Sequence, residues 1–162
     1  EVLAFTCGTP ERPVNAIPPE AQAHIQLRHV TGLNPDAILP ALRAHLDAHG
    51  FDYVEIEEPE ARFPASATPP DHPFARFACA SVARTTGAEP VLLPSLGGSL
   101  PNHVFTETLG LPAIWVPHSY PGCSQHAPDE HLPRAMIPGA IALMAGLYHD
   151  IGAVGRAGLG LN

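Results

Sequence analysis

Residues 119–131 read SYPGCSQHAPDEH. This polar loop follows a short apolar run at residues 112–116 and precedes an apolar helical pattern. A loop rich in His and acid after a buried strand is where α/β proteins place chemistry. His126 is its centre, stiffened by Pro128 and followed by Asp129 and Glu130. A neutral imidazole with carboxylates close by suits a zinc ligand. The alternative is a surface His in a helix-capping loop. Two further groups of residues could bind rather than react. Asn15, in a Pro-rich turn, and Arg28, on the polar side of the following strand, offer an amide and a guanidinium fork for a carboxylate. The alternative for these is a turn Asn and a solvated Arg. Gly97, Gly98 and Ser99 form a turn between a strand and a helix, where backbone N–H groups can face an anion. A plain tight turn fits them equally well.

The elements that position these residues follow from periodicity. Residues 2–6 read as a strand. Residues 21–30 alternate, with Ala21, Ala23, Ile25 and Leu27 on one face and Arg28 on the other, and so predict a second strand pairing antiparallel with the first. Asn34 and Pro35 are a helix N-cap and first position, Ile38, Leu39, Leu42 and Leu46 give an apolar face, and Gly50 ends the helix. His45 and His49 share a face of this helix, but no Glu follows His45, so they read as half-buried structural residues. Residues 52–57 alternate and predict a strand, which gives a small α+β layer.

In the second half, Asp71 is expected to cap a helix over residues 73–86 that ends at Gly87. Residues 90–93 and 111–117 read as buried strands. Ser99 is placed as the cap of a helix that continues through residues 105–109. A last helix spans residues 131–151, with Pro138 bending it or marking its true start. Helix, strand, helix, strand, helix is the order of a parallel α/β sheet, which would set the Gly97–Ser99 turn and the His126 loop at one carboxyl edge. The expected division is residues 1–60, a linker at 61–70, residues 71–157, and a loose Gly-rich tail at 158–162.

Composition limits the partners. The formal net charge is −8, with 16 acids against 8 bases, so a nucleic-acid footprint is not expected. The three cysteines are scattered and form no C-x-x-C pair, which points to neither a disulfide framework nor a zinc ribbon and suits a reducing cytoplasm. Cys123 reads as a buried, inert thiol. No apolar run is judged long enough to span a bilayer and no leader pattern is seen, so no membrane partner is expected. The chain lacks a starting Met and opens directly into a strand pattern, as a chain cut within a fold would.

Asn15-Ala16-Ile17-Pro18 with Arg28, then Gly97-Gly98-Ser99-Leu100-Pro101, then His126-Ala127-Pro128-Asp129-Glu130, in that order, resemble the C-terminal portion of the zinc aminoacylase/carboxypeptidase family. That family includes acetylornithine deacetylase, succinyl-diaminopimelate desuccinylase, aminoacylases and carnosine dipeptidases. The resemblance implies the closing part of an α/β catalytic domain plus half of an α+β, ferredoxin-like lid or dimerisation domain. It implies that His126 is the last metal ligand, that Asn15 and Arg28 bind the substrate carboxylate, often across a homodimer, and that Gly97, Gly98 and Ser99 meet substrate through backbone groups. It also implies two zinc ions per site, with cobalt or manganese as substitutes, and an N-acyl amino acid or small dipeptide as substrate. The family's His-x-Asp motif, bridging Asp, Glu-Glu pair, further acidic ligand and carbonyl-polarising His would all precede Glu1. The expectation is therefore a metal-dependent amidohydrolase or peptidase present as a portion that is inactive alone. The rival is a non-catalytic dimerisation or small-molecule-binding module.

Overall fold

The computed structural model describes residues 1–58 and 62–161. Two antiparallel strands, β1 (Val2–Cys7) and β2 (Ala21–Ile25), are followed by three α-helices, α1 (Ile38–Ala48), α2 (Pro73–Thr86) and α3 (Ile137–Gly158). The strands pair from Val2 opposite Ile25 to Cys7 opposite Ala21, with an irregularity between Val2 and Ala4. Both are exposed along their whole length. The second strand stops at Ile25, short of the expected Val30. Arg28 therefore lies beyond the ladder, not on it.

The helix starts follow local chemistry. The Asn34 side chain accepts a hydrogen bond from the Asp36 N–H at 3.0 Å, and Pro35 opens a short 3-10 turn that leads into α1. α2 occupies the expected residues, but its cap is His72, whose Nδ1 accepts from the Phe74 N–H at 3.0 Å; Asp71 is not the cap. Gly87 ends α2 at φ 72°, with its N–H on the Ala83 carbonyl, a left-handed position that favours glycine. α3 begins at Ile137 with Pro138 in its first turn, where the missing N–H costs nothing.

Three expected strands do not form, and the reason is where their backbone groups go. At residues 52–57 the chain turns back on α1. Phe51 N–H donates to Leu46 O at 2.9 Å, and the Arg43 guanidinium donates to Phe51 O at 3.0 Å and Val54 O at 2.5 Å. At residues 111–117 the Thr68 hydroxyl takes both groups of Ala113, accepting from its N–H and donating to its carbonyl, each at 2.8 Å. Residues 90–93 carry no ladder, and Val91 is 85% exposed. Among the described residues the one sheet is the β1–β2 ribbon, so no parallel ladder sets the two loops on a common edge. The helix expected after Ser99 is a single π-helical turn, Val104–Thr108, preceded by His103, and Ser99 does not cap it. The expected linker falls partly on residues 59–61, which lie outside the described residues. Beside it, Arg62 reaches Asp36 and Glu58, both at 3.3 Å.

The core lies between α2 and α3. Ala75, Ala78 and Ser81 present a small, buried face of α2. Pro73 meets Gly160 and Thr85 meets Gly146, so the two helices run antiparallel and close together. Ser81 is fully buried and donates to Asp150 Oδ2 at 2.7 Å; Arg84, one turn on, donates to the same oxygen at 2.5 Å. The Ser81 hydroxyl and the Arg84 guanidinium hold the Asp150 carboxyl down at about 2, against an ordinary 3.8. The tail expected to be loose is docked: Leu159 is buried, and Gly160 lies against Pro73. Gly155, at φ 70°, breaks the helical path just before it. By length and composition the stretch Arg134–Gly158 is also apolar enough to cross a membrane, contrary to expectation. Little of that stretch is buried, and Asp150 ties it to α2 through Ser81 and Arg84.

Two outcomes follow. Because its pKa is lower folded than unfolded, Asp150 contributes stability above about pH 3.8 that is lost as pH falls toward 2. In acid denaturation, Asp150→Asn should flatten that loss over this window; an unchanged slope refutes the assignment. Gly146→Ala should destabilise by about 1–3 kcal/mol through crowding of Thr85, with Thr85→Ala restoring most of the loss in urea titrations.

Candidate functional site

The described structure joins two of the motifs. The Arg28 Nη1 donates to the Gly97 carbonyl, across 69 residues of sequence. Its Nε donates to Gln26 Oε1 at 3.1 Å, and its Nη2 stands 3.6 Å from the Glu1 carboxylate. Glu1 is anchored in turn, because its carbonyl accepts from the Gln26 N–H at 2.9 Å. A guanidinium just past β2 therefore faces one carboxylate, one amide oxygen and one loop carbonyl. A guanidinium is the side-chain group that pairs with a carboxylate through two parallel N–H···O bonds.

Gly98 explains the need for glycine in the loop. A Cβ there would come within 2.6 and 2.7 Å of the Trp115 ring, whereas one at Gly97 would meet nothing within 4 Å. The Trp115 indole backs the loop on one side, and Arg28 holds it at the neighbouring residue. Trp115 was not legible as part of a site: it lies 16 residues beyond Ser99 in an apolar run that reads as core. Its being the chain's one tryptophan was the available signal.

The His126 loop is built on unusual backbone. Ser124, His126 and Asp129 have φ of 55°, 63° and 64°, each an uncommon conformation for a residue with a side chain, costing on the order of 1 kcal/mol. Local bonds hold it there. Ala127 N–H donates to Ser124 O at 2.9 Å, and His131 N–H to Cys123 O at 3.0 Å. Glu130 Oε2 accepts from the His126 backbone N–H at 3.1 Å, so this carboxylate fixes the loop rather than the imidazole. The Asp129 carbonyl pairs with His131 Nδ1 at 2.9 Å. Cys123 is buried, as expected, and its Sγ accepts from the Tyr120 N–H at 3.4 Å. His126 itself is exposed. Beside it is a cavity of about 340 Å³ lined by His118, Ser119, Cys123, Gln125, Glu130, His131 and Leu132.

Other residues do not converge. Asn15 sits exposed in the loop that leaves the ribbon beyond Cys7 and Ala21, while Arg28 follows the opposite end, beyond Val2 and Ile25. His45 and His49 stack with ring centroids 4.2 Å apart, and His49 Nδ1 bonds the His45 carbonyl at 2.7 Å, which is a helix-end role. Among the described residues no group of three or more His, Cys, Asp or Glu side chains could hold a metal ion. His126 thus does not fit a complete zinc centre with these residues, since catalytic zinc takes about three protein ligands.

No family model matches the sequence, and no curated protein matches it. Among solved structures, the chain is similar to an M20 family metallo-carboxypeptidase from Sulfolobus solfataricus, with a TM-score of 0.70, 24% identity and 91% of this chain covered. The fold is therefore that of part of an M20 metallo-carboxypeptidase chain, and this chain spans 34% of the length of the one it matches.

The packing of the loop gives a direct outcome. Gly98→Ala should cost about 1–3 kcal/mol and shift Trp115 fluorescence, while Gly97→Ala should leave both nearly unchanged. Equal effects at the two positions would contradict the contact.

Proposed function

We propose that this chain is the carboxyl-terminal portion of a metal-dependent amidohydrolase or peptidase that cleaves an amide beside a free carboxylate. The observation that carries this is the Arg28–Gly97 contact. It brings Arg28, whose guanidinium is suited to a carboxylate, to the glycine loop, in a chain whose fold matches a portion of a metallo-carboxypeptidase. Substrates of this class are N-acyl amino acids and small dipeptides. In the assembled enzyme Arg28 would receive the carboxylate, with Asn15 a second donor. Gly97, Gly98 and Ser99 would lie along the scissile amide, with Trp115 against Gly98. His126 would be one metal ligand, presented by a loop whose backbone is fixed by Glu130. Zinc is the metal proposed, two ions to a site as the resemblance implies, with the remaining ligands and the proton-shuttling base coming from outside the described residues. Residues 1–60 would belong to a lid through which two copies pair, and residues 71–157 to the catalytic domain. A cytoplasmic location is part of the same proposal.

A second reading has its own support. No metal-holding cluster exists among the described residues, which favours a non-catalytic binding module of the same fold. Metal content separates the two, because a binding module purifies without zinc.

In an enzyme that contains this sequence, His126→Ala should lose zinc and more activity than the roughly 10–100-fold that loss of an outer partner costs. Retention of both zinc and activity would remove His126 from the metal site. Arg28→Ala should raise KM for N-acyl amino acids roughly 10-fold or more with little change in kcat, measured by amine release. An unchanged KM would remove Arg28 from the carboxylate site.

A further inference from the structure

We propose that α3 is a core helix whose outer side, together with residues 90–93, is covered by the part of the same polypeptide that precedes Glu1, and not by a second copy or a bilayer. The proposal rests on the reading of this chain as a carboxyl-terminal portion and adds where the rest of the protein docks.

α3 has two apolar sides. Gly146 and Asp150 face α2, through Thr85 and through Ser81 and Arg84. Ile137, Ile141 and Tyr148, spaced four and seven residues apart, share the opposite side. All three are exposed, Tyr148 at 68%. The helix carries two charged side chains in 22 residues, Asp150 and Arg156, and Asp150 is bonded to α2. A helix apolar on all sides belongs in a protein core or a membrane. Among the described elements, α3 packs on α2 and on the 3-10 turn Arg134–Met136 that leads into it, and on no other. After α2, residues 90–93 repeat the pattern. Val91 and Leu93 are exposed, and the run takes part in no ladder among the described residues. An apolar run with unpaired N–H and C=O groups is a template for a strand from elsewhere.

Area selects the occupant. A compact chain of 17.1 kDa exposes roughly 7,750 Å², whereas this one exposes 12494 Å². The excess is roughly 4,700 Å². A standard interface removes about 800 Å² from each partner, and an obligate dimer that buries about 5,000 Å² in total removes about 2,500 Å². A second copy therefore leaves much of the excess in water. A bilayer would have to take in the Asp150–Arg84 ion pair and would leave residues 90–93 unpaired. Cover on this scale needs polypeptide layered on several elements at once. This chain spans 34% of the metallo-carboxypeptidase chain it matches, which leaves most of such a protein to supply it.

The test uses the intact protein that contains this sequence. Light scattering gives its mass in solution. Hydroxyl-radical footprinting, normalised to the urea-unfolded protein, reads the exposure of Ile141 and Tyr148, and amide hydrogen exchange reads residues 90–93. The expected result is a monomer, or an oligomer whose protection survives dilution to monomers, in a chain longer than 162 residues. In it Tyr148 reacts roughly fivefold or more below its unfolded rate, and the 90–93 amides exchange roughly 100-fold or more slower than unpaired ones.

Protection lost on dilution to monomers assigns the cover to a second copy and overturns the proposal. Protection gained only on adding phosphatidylcholine vesicles assigns it to a bilayer and does the same. Free reaction of both regions in a longer chain overturns the docking surface and leaves the reading as a portion standing. A protein of 162 residues with both regions open removes that reading, and the proposal with it.

Discussion

The close contact between α2 and α3 is the constraint on which the described structure depends. Ala75, Ala78 and Ser81 keep the buried face of α2 small, Thr85 meets α3 at Gly146, and Leu147 and Leu159 are buried. Small faces bring backbones together but bury little apolar area. Direction and register then fall to polar groups. Asp150 supplies them, accepting hydrogen bonds from the Ser81 hydroxyl and the Arg84 guanidinium on one oxygen. The half-exposed ion pair is worth little on its own. Its value is that it fits one alignment of the two helices.

Away from this pair, side chains rather than ladders satisfy the backbone. Arg43 holds the turn after α1 by two carbonyls, and one hydroxyl of Thr68 serves both groups of Ala113. These single-residue ties leave large apolar side chains uncovered. Val91, Leu93, Ile141 and Tyr148 are each more than 60% exposed. The β1–β2 ribbon is exposed on both faces, and two-stranded ribbons are marginal without a third layer. Arg28 is where the ribbon's end meets the second half of the chain. The same residue thus links two parts of the fold and offers the group best suited to a carboxylate.

Local chemistry was legible in the sequence, and long-range pairing was not. Asn34-Pro35, Gly87 and Pro138 mark helix boundaries that the structure keeps, because caps and helix-breaking residues act within one turn. The β1–β2 pairing followed from alternation. Alternation at residues 52–57 misled, because a strand needs a neighbour, and Arg43 captured those carbonyls first. Apolar runs at 90–93 and 111–117 misled for the same reason. In the candidate site, Arg28 and Gly97 were readable as separate donors and turn. Their contact was not, nor was Trp115 behind Gly98, since no spacing rule spans those distances. Glu130 read as a partner of the His126 imidazole, whereas it holds that residue's backbone N–H.

The central claim is that these residues are one portion of a metal-dependent hydrolase, with His126 completing a centre built largely from elsewhere. The most direct test is to isolate the protein carrying this sequence from its own source, and to measure its mass and its bound metal together. The expected result is a chain roughly three times the length of residues 1–162, in proportion to the 34% of the matched chain that this one covers, carrying zinc that is lost on His126→Ala. A chain of this length, pure and without metal, would contradict it.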